Sequence, residues 1–349
     1  MRDGHRLELV ADVDDVRDEW SALALAAGTP FATPEWSQTW IDHLGVRDQV
    51  RLFAIRDPAE RLVALLPLTV RPRRPRIVRF VGHGPGDELG PVCAPADRRM
   101  AAAGLRQALR TLRADVLLAE QLPGDRHWDA LLGAQPVADT GNPVLRLHEI
   151  DDGDALLQRF GPSLIRKLGR VRRKLERAGE LRVRLAVPGE QLAADVDALF
   201  DLHRGRWAPQ RTDFAGPHEA FQRAFMQVAA ERGWLHLLLV EVDGAPVAAV
   251  YDLRFAGRQH QYQQGRDPAW DRLSVGFLAL VSAMTAAAQD QMAEYRFLRG
   301  DEGYKYDYAD DDPRLQTFVI GRGAARHMVV RAGGGMRRAR PVLRRWLAT

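Results

Sequence analysis

A single order of sequence elements occurs twice in this chain, and it limits the fold more than any other feature. In the later copy, WLHLLLVEV (234–242), the turn Asp243-Gly244, APVAAVYDLRF (245–255), the turn Ala256-Gly257 and RQHQYQQG (258–265) predict a three-strand meander. A loop containing Pro268 follows, then an apolar helix from about Ser274 to Asp290 and a short strand, EYRFL (294–298). The earlier copy keeps this order. RLFAIRD (51–57), a turn through Pro58, RLVALLPLTV (61–70) and RIVRFVG (76–82) predict a meander. A Gly/Pro-rich loop (83–96), a helix over about 98–113 and the strand DVLLAEQ (115–121) complete it. Val63-Ala64 matches Val247-Ala248, and Gly82 matches Gly265 at nearly the same offset, as an internal duplication would leave them. The 349 residues suit two domains of roughly 150 each. The expected fold is mixed α/β (α+β), with two tandem domains, each a mostly antiparallel sheet flanked by helices. Its expected boundaries are residues 1–155, residues 156–322 and a basic tail, 323–349.

Between the copies lies GPSLIRKLGRVRRKLERAGE (161–180). Leu164, Leu168, Val171 and Leu175 are spaced 4, 3 and 4 apart, one apolar helical stripe, with Ser163 as the expected N-cap and Gly179 as the stop. The other faces carry Arg166, Lys167, Arg170, Arg172, Arg173, Lys174 and Arg177. Such a face suits either plain solvation or an anion such as pyrophosphate. Arginine is the default cation here: of 50 basic residues only Lys167, Lys174 and Lys305 are lysines, so those three positions stand out. The tail (323–349) has a triple glycine and clustered arginines, and reads either as a basic terminus or as a segment for anionic lipids. The start of the chain lacks a secretory apolar region, no apolar run nears the roughly 18 residues of a membrane span, and Cys93 is the single cysteine. Together these predict a cytoplasmic protein, with peripheral contact at the inner membrane face through the tail.

Several common chemistries have no motif here: GxxxxGK[ST], HExxH and GxSxG are absent, and GHGPG (82–86) lacks dinucleotide-loop spacing. Three segments remain. GRDPAWDRLSVGFLALVSAM (265–284) leads from a strand into a helix whose free amides and dipole suit an anion, with Arg272, Ser274 and Gly276 in support. FLRGDEGYKYDYADD (297–311) follows a strand and gathers Asp301, Glu302, Tyr304, Lys305 and Tyr306. For acyl transfer Glu302 suits the base, Tyr304 the donor to a leaving thiolate, and Lys305 a group that holds phosphate or steadies negative charge. In DALFDLHRGRW (197–207), Leu199, Phe200, His203 and Trp207 share a helical face. His203 there is either a core residue or, with Arg206 and Trp207, part of a substrate groove.

With these residues in view, the chain resembles the GNAT-superfamily group of CelD/BcsL-type acetyltransferases of cellulose and exopolysaccharide biosynthesis, which is related to Fem-type peptidyl transferases. The resemblance rests on FATPEWSQTW (31–40), VALLPLTV (63–70), SLIRKLGRVRRKLERAG (163–179), LFDLHRGRW (199–207), GAPVAAVYDL (244–253), QYQQGRDPAWDRLSVGFLAL (261–280) and FLRGDEGYK (297–305). It implies two GNAT-like domains, acetyl-CoA or another acyl-CoA as donor, no metal, and a sugar-bearing cell-surface precursor as acceptor. A strand N–H near Tyr262–Gln264 would polarise the thioester carbonyl, and Arg272, Leu273, Ser274, Val275 and Gly276 would hold the donor. That segment keeps only an Arg and a Gly of the family's [QR]xxGx[GA] loop, at altered spacing. His203, Arg206, Trp207, Arg166, Arg170, Trp36 and Asp87 are the substrate-side candidates. Two alternatives stay open: a Fem-type transferase using aminoacyl-tRNA, and a catalytically degenerate regulator of exopolysaccharide synthesis. The net charge of +4 is low for a dedicated nucleic-acid binder.

Overall fold

The computed structural model describes residues 4–45, 49–207, 214, 216–321 and 323–334. It divides into two compact units, Met1–Gly141 with Pro313–Thr349, and Asn142–Asp312. The first unit contains β1 (Arg6–Val10), α1 (Arg17–Ala27), α2 (Pro34–Leu44), β2 (Gln49–Arg56), β3 (Leu62–Val70), β4 (Ile77–Phe80), β5 (Val92–Cys93), α3 (Arg98–Thr111), β6 (Val116–Pro123), α4 (Trp128–Leu132) and β7 (Ala138–Thr140). The second contains β8 (Val144–Arg146), α5 (Gly153–Arg159), α6 (Pro162–Glu176), β9 (Leu181–Leu185), α7 (Gln191–Trp207), α8 (Pro217–Glu231), β10 (Leu235–Val242), β11 (Ala245–Phe255), β12 (Arg258–Arg266), α9 (Val275–Gln289), β13 (Glu294–Arg296) and α10 (Gly303–Tyr306). The chain then returns to the first unit as β14 (Leu315–Gly321) and α11 (Gly323–Gly334).

Both sheets are flanked by helices, and both repeat the predicted order. The first runs β1-β2-β3-β4-β6-β14-β7 with β5 beside β3, and the second runs β8-β13-β12-β11-β10-β9. Every pairing is antiparallel except one in each, β4 with β6 and β12 with β13. The second meander forms as its turn chemistry requires. Val242 pairs with Ala245 and Phe255 with Arg258. The two residues between each pair, Asp243-Gly244 and Ala256-Gly257, all take left-handed φ of 51–77°, as tight hairpins demand. Above this sheet α9 buries Val275, Leu278, Ala279, Ala283, Met284 and Ala287 against Leu238, Val240, Ala248 and Val250.

Three sequence expectations change. The domain segments 1–155, 156–322 and 323–349 are not the units seen. Val144–Arg146 pairs with β13 of the second sheet, whereas β14 pairs with β6 and β7 of the first. The start of the basic tail is α11, which sets Val329 against Ile77, Val116, Leu118 and Val319; residues 335–349 lie outside the described residues. The N-cap of α6 is Gly161 with Pro162 at the first helical position, so Ser163 is already inside the helix, and the C-cap is Arg177 instead of Gly179.

One buried cluster of charges fastens β9 to its neighbours. Arg184 donates to both carboxylate oxygens of Asp195 on α7 at 2.7 and 2.6 Å, and to Glu241 on β10 at 2.7 Å. The two acids are buried, with side chains 2% and 7% exposed. Burial alone would raise the Asp195 carboxyl, but the Arg184 hydrogen bonds outweigh it and hold it below the ordinary aspartate value. A depressed carboxyl contributes stability above its unfolded pKa and loses it as pH falls through the lower folded value. Arg184→Met strands two buried carboxylates and should cost about 3–5 kcal/mol in urea unfolding at neutral pH. The deficit should shrink as pH drops below about 4. A pH-independent deficit would mean that the guanidinium acts only as packing.

Candidate functional site

The parallel pair β12–β13 is short. Arg258, Gln259 and His260 pair with Glu294, Tyr295 and Arg296, and there β13 ends while β12 continues to Arg266 with β11 alone on its other side. The two chains therefore diverge into a slot. Just past the divergence β12 carries a bulge: Asp252 faces Gln261 and Tyr251 faces Gln263, so Tyr262 is the extra residue. A bulge takes a residue out of the ladder and re-aims its backbone groups.

The Tyr262 side chain points elsewhere. Its hydroxyl accepts a 2.7 Å bond from Gln222, and its ring meets Tyr251 and Phe214 in a buried aromatic cluster. His203 joins the same cluster, 2% exposed, with its ring 4.7 Å from Phe214. Helix α7 crosses β12 so closely that a Cβ on Gly265 would lie 2.6 Å from the His203 nitrogen. Of the sequence candidates, Tyr262 thus offers the slot its backbone, and His203 sits in a packed core. The side chains of Arg206 and Trp207 lie outside the described residues.

The opposite wall is the segment after β13. Leu298 and Gly300 both take positive φ, 55° and 141°, and the chain then enters α10. From α10, Tyr304 reaches across to β12, where its hydroxyl accepts a 3.0 Å hydrogen bond from Gln264 Nε2. Lys305 is 5% exposed. Its Nζ donates to Arg299 O at 3.0 Å and Leu298 O at 3.4 Å, and meets Glu302 Oε2 at 2.9 Å. An ammonium has three protons, and these three acceptors use them. Lys305 therefore staples the loop in place of standing ready for a phosphate. Glu302 keeps its side chain 46% exposed on the outer side of that pair.

The far end of β12 leads through a short 3-10 turn, Pro268–Leu273, into α9. Ser274, with φ of 58°, is the N-cap residue, and its hydroxyl makes no capping bond. Leu273 and Ser274 are half-buried, Val275 is buried and Arg272 is exposed. Arg266, which sequence reasoning passed over, pairs with Asp271 and lies along Gly276, 3.1 Å from where a Cβ would be. Lys167 of α6 stands 4.1 Å above the Phe277 ring in the first turn of α9. Basic groups thus gather where helix amides and the dipole favour an anion.

Residues 162–306 match the family model of an acetyltransferase (GNAT) domain. The match spans most of the second unit. No curated protein matches the chain. Solved structures share its fold at low identity. FemX superposes with a TM-score of 0.65 at 12% identity, covering 93% of this chain and 99% of its own. The C-terminal domain of a putative lysylphosphatidylglycerol synthetase from Agrobacterium fabrum gives 0.60 at 10%, covering 93% and 97%. A tandem GNAT protein from the clavulanic acid biosynthesis pathway gives 0.53 at 15%, covering 91% and 99%.

The sheet of the first unit has the same divergence as that of the second, but its own chain closes it. β4 pairs with β6 at Ile77–Val116 and Val78–Leu117 only. Beyond that, Arg79 Nε donates to Glu120 at 2.8 Å, Leu89 N donates to Gln121 O at 2.9 Å, and β5 fills in beside β3. Trp36 is fully buried with its indole against Gly82 and Gly86, and Asp87 is 4% exposed. Both substrate-side candidates of the first unit are therefore enclosed by the loop that fills its opening. Arg166 and Arg170 are exposed on α6, opposite its apolar stripe.

Gly300 is the backbone condition for the Glu302–Lys305 pair. A Cβ there would lie 2.1 Å from Glu302 Oε2 and 2.7 Å from Lys305 Nζ. Gly300→Ala should cost about 1–3 kcal/mol of stability through strain at positive φ, while Gly303→Ala, with open space around it, should cost less than about 1 kcal/mol. Thermal unfolding of both variants checks this; equal losses would refute the assignment.

Proposed function

We propose that this protein is an acyl-CoA-dependent N- or O-acyltransferase whose acceptor is a sugar-containing precursor of a cell-surface polysaccharide. The observation that carries the reading is the loss of pairing between β12 and β13 beyond His260, with the Tyr262 bulge on one wall and Tyr304 on the other. A thioester lying in the slot would place its carbonyl by the bulged backbone, where an N–H stabilises the developing oxyanion. The acceptor nitrogen or oxygen attacks that carbon and its proton passes to Glu302, directly or through water. As the C–S bond breaks, the thiolate takes the Tyr304 proton. Gln264 donates to the phenol oxygen. The donor pyrophosphate would rest on the first turn of α9, with Arg272 beside it and Gly276 allowing close approach. A Fem-type transfer from aminoacyl-tRNA is the second reading, favoured by the cations of α6.

Calorimetric titration with acetyl-CoA and longer acyl-CoAs, set against aminoacyl-tRNA, decides between the two. Binding of acyl-CoA is expected, and Arg272→Ala with Ser274→Ala should weaken it about tenfold or more. Glu302→Gln should lower kcat roughly 10²–10⁴-fold with donor affinity kept, and Tyr304→Phe should slow the step that releases thiolate. A wild-type protein that binds aminoacyl-tRNA and no acyl-CoA would replace the first reading with the second. Full turnover by Glu302→Gln would remove Glu302 from the base role.

A further inference from the structure

Helix α6 concentrates cations without acids. Many arginines elsewhere meet acids: Arg56 with Glu8 and Glu19, Arg223 with Asp197 and Glu219, Arg146 with Asp311, Arg159 with Asp310. On α6, Arg166, Lys167, Arg170, Arg172, Arg173, Lys174 and Arg177 at its C-cap have no carboxylate partner among the described residues. Four of them form a ridge. Arg166, Arg170, Arg173 and Arg177 repeat the 4-3-4 spacing of the apolar stripe two residues out of phase, which turns them about 200° away from it. The ridge is about 16 Å long and faces solvent, because the apolar stripe is packed into the core. The nearby acids, Glu176, Glu180 and Asp243, sit at the turn end of this helix–strand hairpin, where Asp243 accepts from the Glu180 amide at 2.8 Å.

Exposed aliphatic side chains accompany these cations at the other end. Eight large hydrophobic side chains are exposed among the described residues, and three belong to this hairpin: Ile165 (43%), Leu185 (42%) and Val187 (63%). Leu181 and Val183 of β9 pack into the core beneath α6; Leu185 is next in the same row and is left uncovered. Since β9 runs back along α6, Leu185 and Val187 come level with the N-terminal half of the helix, where Ile165 lies. Cations alone would suit any polyanion. Cations beside uncovered aliphatic groups suit a surface that is anionic outside and apolar just beneath.

The geometry points to the α6–β9 hairpin as a docking face for an anionic lipid bilayer, held peripherally by the arginine ridge with Ile165, Leu185 and Val187 entering the headgroup boundary. The contact is peripheral because no described helix is long and apolar enough to cross a membrane. It does not involve the slot or the acyl-CoA donor; the aminoacyl-tRNA reading assigns the same cations to RNA, so retention of RNA without vesicle binding separates the two.

The test is sedimentation of the full chain with vesicles of phosphatidylcholine alone and of phosphatidylcholine mixed with phosphatidylglycerol. The wild type should bind the mixed vesicles, less so as salt rises, and ignore the neutral ones. Arg166→Glu, Arg170→Glu and Arg173→Glu together should weaken that binding more than roughly tenfold, with unchanged circular dichroism and Tm because all three are exposed. Ile165→Ser with Val187→Ser keeps every charge, and should weaken vesicle binding roughly 3- to 10-fold while leaving heparin binding intact. Three results would each overturn the proposal. The first is vesicle binding that survives charge reversal, which would put it on another part of the chain. The second is binding indifferent to the two serines, which would make the face a general polyanion site. The third is a protein that ignores anionic vesicles yet retains RNA.

Discussion

The slot in the second unit exists because a parallel strand pair stops after three residues. An antiparallel meander ending in β12 can add β13 only by a helical crossover, and that crossover is α9. Once β13 ends at Arg296, β12 has an unpaired edge, and the start of α9 is carried back to the same end of the sheet. A backbone edge, a bulge and a helix N-terminus are thereby brought together by topology, before any side chain is chosen. The closed end of the pair is fixed differently. There Asp252 and His236 are buried 3.7 Å apart, Gln259 donates to Asp252, and burial raises the Asp252 carboxyl. Polar groups at that depth are costly unless mutually bonded, so this end tolerates little opening.

The two units show how one topology can be kept open or shut. Both possess the parallel pair and its divergence, and both have helices on the sheet faces. In the first unit Arg79 and Glu120 join the strands past the point of divergence, and residues 82–93 supply the missing edge partners. In the second unit Gln264 donates to Tyr304 across the divergence. An ion pair with backbone bonds joins the strands of the first unit, whereas a neutral side-chain bond of this kind costs less to open.

The meanders, α6, α9 and the element order were legible because each is written in short-range signals. These are period-two alternation, the Asp-Gly and Ala-Gly turns, and the 4-3-4 apolar spacing. The Glu302–Lys305 pair was legible for the same reason, since three residues on a helical turn bring the two side chains to one side. What was missed depends on partners far away in sequence. The three-residue strands β7 and β8 carry no periodicity of their own and are strands only because β14 and β13 lie beside them. The stapling role of Lys305 needed the carbonyls of Leu298 and Arg299, which no spacing rule reveals. Trp36 and Asp87 were candidates on the substrate side; here Gly82 and Gly86 admit the Trp36 indole into the core instead.

The return of β14 also sets an order in time. In the first sheet β7 has β14 as its neighbour, and β14 lies between β6 and β7. On a ribosome, residues 142–312 emerge in full before Leu315–Gly321 are available. The inner unit can therefore complete its sheet while the outer one still lacks an internal strand, reversing the usual N-terminal-first sequence of domain folding. Until that strand arrives, the β6 edge of the first sheet is a hydrophobic strand, Val116–Pro123, with no partner on one side. The nascent chain must carry that exposed edge until Leu315–Gly321 are made.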